Sequence, residues 1–293
     1  EIASCLVGSE MCIRDRDGFH RMLTDQQLSD CAAELLAART AVRTLRPVSH
    51  RYPGVTLDEA YEIDARVHRL RLAQGAVALG RKIGLTNTSA WRKLGVEAPV
   101  WSSIYGHSVI HWTDTRGRLS LAPFLAPRIE PEVVVHFREA PDVSQGEEGV
   151  LAAIDWIASG YEIVQSNYDS KDTVVADTVA NSVFHGCLVV GPQVAVSALS
   201  DGLAEDLKHF SLLLSRDGVA VEKGEGRQVL GSPLQSILAL ARVLAAQSRP
   251  PIAAGEIVTT GTITTAYPVE AGQTWHSQID GLDLTGLSIE FTA

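Results

Sequence analysis

Two acidic residues at i and i+2 dominate the segment Arg128-Ile129-Glu130-Pro131-Glu132-Val133-Val134-Val135-His136-Phe137. Side chains alternate faces along a strand, so Ile129, Val133, Val135 and Phe137 share one face and Glu130 and Glu132 project from the other. Carboxylates ~7 Å apart on one face repel unless protons or a cation lie between them. The pair is either a solvated outer face or half of a cation site. Pro131 brings no N–H, which predicts an edge or mouth position. A third acid, Glu162, interrupts the apolar run Tyr161-Glu162-Ile163-Val164, and a lone acid there needs a partner or a metal. Three carboxylates suit a hard octahedral cation, Mg²⁺ or Mn²⁺, and the lack of paired His or Cys argues against zinc.

A basic residue completes the set of reactive side chains. Lys82 sits between Gly80 and Gly84 in the short apolar stretch Gly80-Arg81-Lys82-Ile83-Gly84-Leu85-Thr86-Asn87. It is either a snorkelling surface residue or a site lysine. His136 shares the face of the two glutamates by period 2 and reads first as a structural histidine, with metal ligation the alternative. Cys187, in an apolar strand, reads as core. Trp91, Trp101, Trp156 and Trp275 read as core or subunit contacts.

The elements that carry these residues follow from pattern. Thr24 with Gln27 and Thr56 with Glu59 form two capping boxes, each opening a helix. Pro47 ends the first helical region and Gly75 stops the second. Segment 23–75 is therefore a helical lead-in, and 76–293 is expected to be the catalytic domain. Short strands dominate from Ala76, with Val150–Ser159 read as a short helix and Pro233–Gln247 as the last helix. Asp217-Gly218 signals a hairpin, and the terminal strands break at Asp280-Gly281. The fold class is α+β, a mixed β-roll or sandwich with a few helices.

The chain has 293 residues, 45% hydrophobic and 20% charged, with a net charge of −10. That length supports a substantial core. Net acidity argues against a nucleic-acid surface, and no apolar run reaches the ~18 residues of a membrane span free of charge. The four cysteines, Cys5, Cys12, Cys31 and Cys187, form no CxxC pair. Together with the lack of a signal peptide this predicts a reducing, cytoplasmic setting. Residues 1–17 show no periodicity and fit nothing that follows. Segment 1–22 is expected to be a non-native or disordered leader, with Met22 as the start.

Seven collinear pieces then carry a family likeness: GRKIGLT (80–86), LGVEAP (94–99), PRIEPEVVV (127–135), YEIVQS (161–166), ADTVA (176–180), VLGSPL (229–234) and GEIVTTGTIT (255–264). Over roughly residues 24–293 the chain resembles the 2-keto-4-pentenoate hydratase / 4-oxalocrotonate decarboxylase group of the fumarylacetoacetate hydrolase superfamily. The resemblance implies a β-roll holding Mg²⁺ or Mn²⁺ through Glu130, Glu132 and Glu162. It implies a small 2-oxo acid substrate chelated through its carboxylate and 2-oxo oxygens, with Lys82 as the site lysine. Leu85, Thr86, Gly261 and Thr262 are the implied substrate-binding residues. A homo-oligomer is expected, with a hydratase or decarboxylase relative as a candidate partner enzyme.

Two departures bear on the reaction. Val100 stands where many hydratases of the group carry Asp, and Phe184 replaces a serine, with His185 beside it as a candidate catalytic residue. The leading expectation is a lyase of hydratase type, acting on 2-hydroxypenta-2,4-dienoate. The alternatives are 4-oxalocrotonate decarboxylation, acylpyruvate-type C–C hydrolysis with His50 or His68 activating water, and a non-catalytic partner subunit.

Overall fold

The computed structural model describes residues 22–293. Apart from Met22, the expected leader lies outside the described residues. Helix Asp25–Thr40 opens with the Thr24–Gln27 capping box, and helix Leu57–Ala73 opens with the Thr56–Glu59 box. The first helix stops at Thr40, ahead of Pro47, which instead caps the short helix Val48–Arg51. Gly75, at φ +87°, follows the end of the long second helix.

The strands are β1 (Ala78–Gly84), β2 (Val100–Tyr105), β3 (Val109–His111), β4 (Arg116–Ser120), β5 (Arg128–Phe137), β6 (Ile154–Val164) and β7 (His185–Val190). They continue with β8 (Val194–Ala195), β9 (Ser211–Arg216), β10 (Val219–Glu225), β11 (Ile257–Thr262), β12 (Tyr267–Pro268), β13 (Thr274–Asp280) and β14 (Ser288–Thr292). The larger sheet runs β2-β1-β11-β5-β6-β7-β3, with β12 paired to β5 and β8 to β6; the smaller runs β10-β9-β13-β14-β4. Between them lies the main core, where Ile129, Val133, Val135 and Phe137 of β5 meet Leu212, Leu214, Trp275, Ile289 and Phe291. Burial of that β5 face forces Glu130 and Glu132 onto the opposite face of the sheet.

A second core joins the N-terminal helices to the roll, through Cys31, Leu35, Ile63 and Val67 packed with Val100, Val179 and Val183. Helix Pro233–Ala246 buries Leu234, Ile237, Leu240 and Leu244. Gly226–Ala246 is long and apolar enough to cross a membrane by length and composition alone, but half of that window is buried inside the fold. Asp217 and Gly218, at φ +51° and +80°, make the turn that joins β9 to β10.

Two expectations change. The helix Glu147–Ala153 ends where β6 begins, so Ile154–Ser159 is strand rather than helix. An apolar run of this length does not distinguish the two from periodicity, and the long antiparallel ladder to β5 decides it. Pro131 lies in a central strand, not at an edge. The β11 ladder shifts register between Thr259 and Thr262, where Pro131 offers only its carbonyl, to Ile263 N–H (2.9 Å).

Candidate active site

Strand register assembles the acidic cluster. Glu162 of β6 stands directly opposite Glu130 of β5, and Gly160, which has no room for a Cβ beside the Val134 side chain, stands opposite Glu132. One oxygen from each of Glu130, Glu132 and Glu162 falls within 4.8 Å of the others. Lys82, on β1, points to the same place: its Nζ lies 3.1 Å from Glu162 Oε2 and donates to the Val183 carbonyl (3.0 Å). Glu162 is 0% exposed.

The charges adjust to this crowding. Burial raises the Glu130 carboxyl to about 7, with Lys82 opposing and Glu162 adding to the rise. Glu132 is pushed well up by burial and by its two acidic neighbours. Burial acts against ionised Glu162 too, but Lys82 and His185 outweigh it and hold the carboxyl below its usual range. Lys82 stays cationic: burial lowers it, and the three glutamates more than compensate. Three carboxyls beside one ammonium in a dry place cannot all ionise without a further cation. Glu132 Oε1 is buried without a hydrogen-bond partner among the described residues, while its Oε2 accepts from Gly261 N–H (2.8 Å). An orphaned carboxylate oxygen in an all-oxygen cluster fits a hard divalent cation and does not fit zinc.

The loops around the cluster are held in unusual backbone shapes. Gly261 sits at φ +110°, and a Cβ there would lie 2.2 Å from Thr86 Oγ1. Glycine is therefore required both for the conformation and for the close approach. Ser182, Val183 and Phe184 all take positive φ, near +50° to +60°. Each such residue costs ~1–2 kcal/mol, more tolerable for Ser than for β-branched Val. The strained turn aims the Val183 carbonyl at Lys82 and places Phe184 in the wall of a cleft of about 390 Å³. Lys82, Leu85, Thr86, Glu130 and Thr262 line that cleft, with Thr178, Val164 and Glu222. Glu222 accepts from Thr265 N–H (2.9 Å). Among the described lining residues, Lys82 is the single cation.

Other candidates lie elsewhere. His185 does not line the cleft. Its Nδ1 sits 2.7 Å from Glu162 Oε1 and its Nε2 2.9 Å from Ser108 Oγ. Burial lowers its pKa, so the neutral ring donates Nδ1–H to the carboxylate, while Nε2 lies in hydrogen-bond contact with Ser108 Oγ, which also reaches the Tyr105 carbonyl (3.0 Å). Val100 is buried in the second core, behind Gly84, and does not face the cleft either. His136 pairs with Asp155 (2.7 Å) and stacks on Trp156, outside the acidic cluster. His68 bonds Tyr105 Oη (2.9 Å), and His50 lies 3.7 Å from exposed Asp172; neither lines the cleft. The sequence offered no signal for the Val183 carbonyl or for Trp91, whose indole donates to the Leu85 carbonyl (2.7 Å). Glu222 lay in a hairpin strand with no motif around it.

Residues 100–286 match the model of the fumarylacetoacetate (FAA) hydrolase C-terminal family. A 2-hydroxyhexa-2,4-dienoate hydratase of Comamonas testosteroni is 30% identical over 92% of this chain and all of its own length. A 4-oxalocrotonate decarboxylase of Pseudomonas sp. (strain CF600) is 30% identical over 90% of this chain and 97% of its own. Among solved structures, the 4-oxalocrotonate decarboxylase of Pseudomonas putida G7, complexed with magnesium and adipate, superposes with a TM-score of 0.83. It shares 27% identity over 92% of this chain and 99% of that one.

Proposed function

The chain belongs to the fumarylacetoacetate (FAA) hydrolase C-terminal family, and on that premise we propose that it is a metal-dependent lyase of unsaturated 2-oxo acids, a hydratase of 2-hydroxypenta-2,4-dienoate type. The observation that carries the reading is the charge layout of the cleft. Its acidic cluster and Lys82 provide for one carboxylate and an adjacent oxygen, and the rest of the described lining adds Glu222 but no second cation. A dienol with one carboxylate suits that layout. The second carboxylate of 4-oxalocrotonate would share the cleft with Glu222 and lack a counter-ion there.

Mg²⁺ or Mn²⁺ is the cofactor in this reading, held by Glu130, Glu132 and Glu162. Bound there, the cation supplies Lewis-acid stabilisation of negative charge on the 2-oxo oxygen. The chain's own residues provide the remainder. Lys82 gives one N–H to the Val183 carbonyl and sets its ammonium 3.1 Å from Glu162 Oε2, which leaves N–H for the substrate carboxylate or for proton transfer. Hydration needs a proton to leave the 2-hydroxyl and one to reach C5; water then adds at C4 and a proton at C3. Lys82 is the group in the cleft suited to moving those protons. Phe184, Val164 and Val183 keep water from one wall, and Thr86 and Thr178 put hydroxyls on the lining from which a water can be oriented. His185, behind Glu162, is a positioning residue that fixes which carboxylate oxygen faces the cleft.

Decarboxylation is the second reading. The apolar wall of Val164, Val183 and Phe184 disfavours a bound carboxylate relative to neutral CO₂ and so assists its departure. Purified protein with Mg²⁺, given 2-hydroxypenta-2,4-dienoate and 4-oxalocrotonate side by side, separates the two. The hydratase reading expects loss of dienol absorbance and no CO₂. Release of CO₂ from 4-oxalocrotonate with no hydration of the dienol would establish the second reading instead.

A further inference from the structure

A second cavity, of about 470 Å³, lies on the far side of His185, between the N-terminal helices and strands β2, β4 and β7. Arg39 and Arg71 enter it from two different helices. Neither forms an ion pair among the described residues. Arg39 donates to the His185 and Asn181 carbonyls and to Asn181 Oδ1 (3.0 Å). Arg71 lies over the Tyr105 ring at 5.1 Å and places Nη1 3.1 Å from His107 Nε2, while its Nε is buried without a partner. Burial, with Arg71 nearby, presses the Arg39 guanidinium down to about 10. The chain carries 35 acidic residues against 25 Lys and Arg. Even so, no Asp or Glu is among the described residues lining this cavity. Asp64, the acid that acts on both arginines, lines a different cavity, where it accepts from Ser102 Oγ (3.1 Å).

Two guanidiniums share one half-enclosed space, and the single acid near them, Asp64, lines another cavity, which leaves positive charge that an anion would neutralise. The opposite side of the cavity is apolar, with Ile110, Leu119 and Phe124. We propose that this cavity binds a small organic monocarboxylate, its carboxylate between Arg39 and Arg71 and its apolar body against Leu119 and Phe124. A planar fork matches a carboxylate better than a point charge does, and the apolar wall selects an organic body over a bare inorganic anion.

Calorimetric titration of benzoate into the full chain, with EDTA present to keep metal from the front cleft, tests this. Saturable binding is expected in the wild type and, within ~2-fold, in Lys82→Gln, whose side chain lies in the other cleft. Arg71→Gln should weaken binding at least ~10-fold, and Arg71→Lys should fall between. Leu119→Trp fills the apolar end with the arginines intact and should also weaken it. Thermal melts of each variant establish that it is folded, and any one of the three cavity variants suffices for the comparison. Absence of saturable binding would overturn the proposal. So would loss of binding in Lys82→Gln with none in Arg71→Gln, or inorganic phosphate binding as tightly as benzoate.

Discussion

Two cavities of similar size stand back to back across His185, and their charges are opposite. The front cleft gathers Glu130 with Lys82 and Glu222, above the buried Glu132 and Glu162. The rear one gathers Arg39 and Arg71 with no acid in its described lining. The front charges come from adjacent strands, so register fixes them: Glu130 faces Glu162 across a rigid ladder. The rear charges come from long flexible side chains on two helices that pack against the sheet. Strands can hold three carboxylates at distances suited to a cation, whereas helices deliver guanidiniums to a looser space suited to an organic anion. His185 touches both regions, through its ring to Glu162 and through its carbonyl to Arg39.

Glu132 is the residue whose loss should separate the two cavities most sharply. Glu132→Gln removes one of the cluster's oxygens that lack a hydrogen-bond partner, and activity at saturating Mg²⁺ should fall by more than ~100-fold, the upper range for losing a mere outer-shell contact. Circular dichroism should show the fold unchanged, since Gly261 N–H can still donate to the amide oxygen. Lys82→Ala comes next, with an expected loss of at least ~10²-fold in kcat/KM, and steady-state kinetics with the dienol will show it.

His185 sharpens the division between the two sides. As a positioning residue it should act through metal affinity: His185→Ala should weaken Mn²⁺ binding ~10–100-fold by electron paramagnetic resonance. His185→Asn, which keeps an N–H near Glu162, should recover part of that loss. Hydration and any decarboxylation should fall together, because His185 does not reach the cleft. Loss of hydration alone would instead make it a direct participant.

An effect on stability rather than on turnover concerns Asp64, which feels both rear arginines. Burial raises its carboxyl from 3.8 to about 6, against the opposing bonds from Ser182 and Ser102. The folded chain therefore holds a proton that the unfolded chain has released between about pH 4 and pH 6. Stability from this group falls as pH rises through that window and is level above it. Urea unfolding of wild type and Asp64→Asn across pH 4–7 should show the wild type losing at most roughly 3 kcal/mol relative to the variant. A difference constant with pH would contradict the assignment.

What the sequence revealed and concealed follows the same division. The face shared by Glu130 and Glu132 was legible because period 2 and the apolar partners Val133, Val135 and Phe137 fix it. Glu162 stood out as a lone acid in an apolar run. Their meeting point was not legible, because register between β5 and β6 is a tertiary property. The capping boxes and the Asp217-Gly218 turn were readable as local chemistry. The extent of β6 was not, since an apolar run buried on both faces carries no period. Val100 looked like a site residue by its place in a motif, but packing puts it behind Gly84. Arg39 and Arg71 sat in ordinary helical sequence, 32 positions apart, and only the docking of two helices brings them to one cavity.

Three glutamates serving metal-dependent chemistry on a 2-oxo acid would tie turnover to the cation. Loss of 2-hydroxypenta-2,4-dienoate absorbance, followed in EDTA-treated protein before and after Mg²⁺ is restored, tests it most directly. No turnover is expected in EDTA, with recovery on adding Mg²⁺ in the wild type but not in Glu132→Gln. Full turnover in EDTA would contradict it.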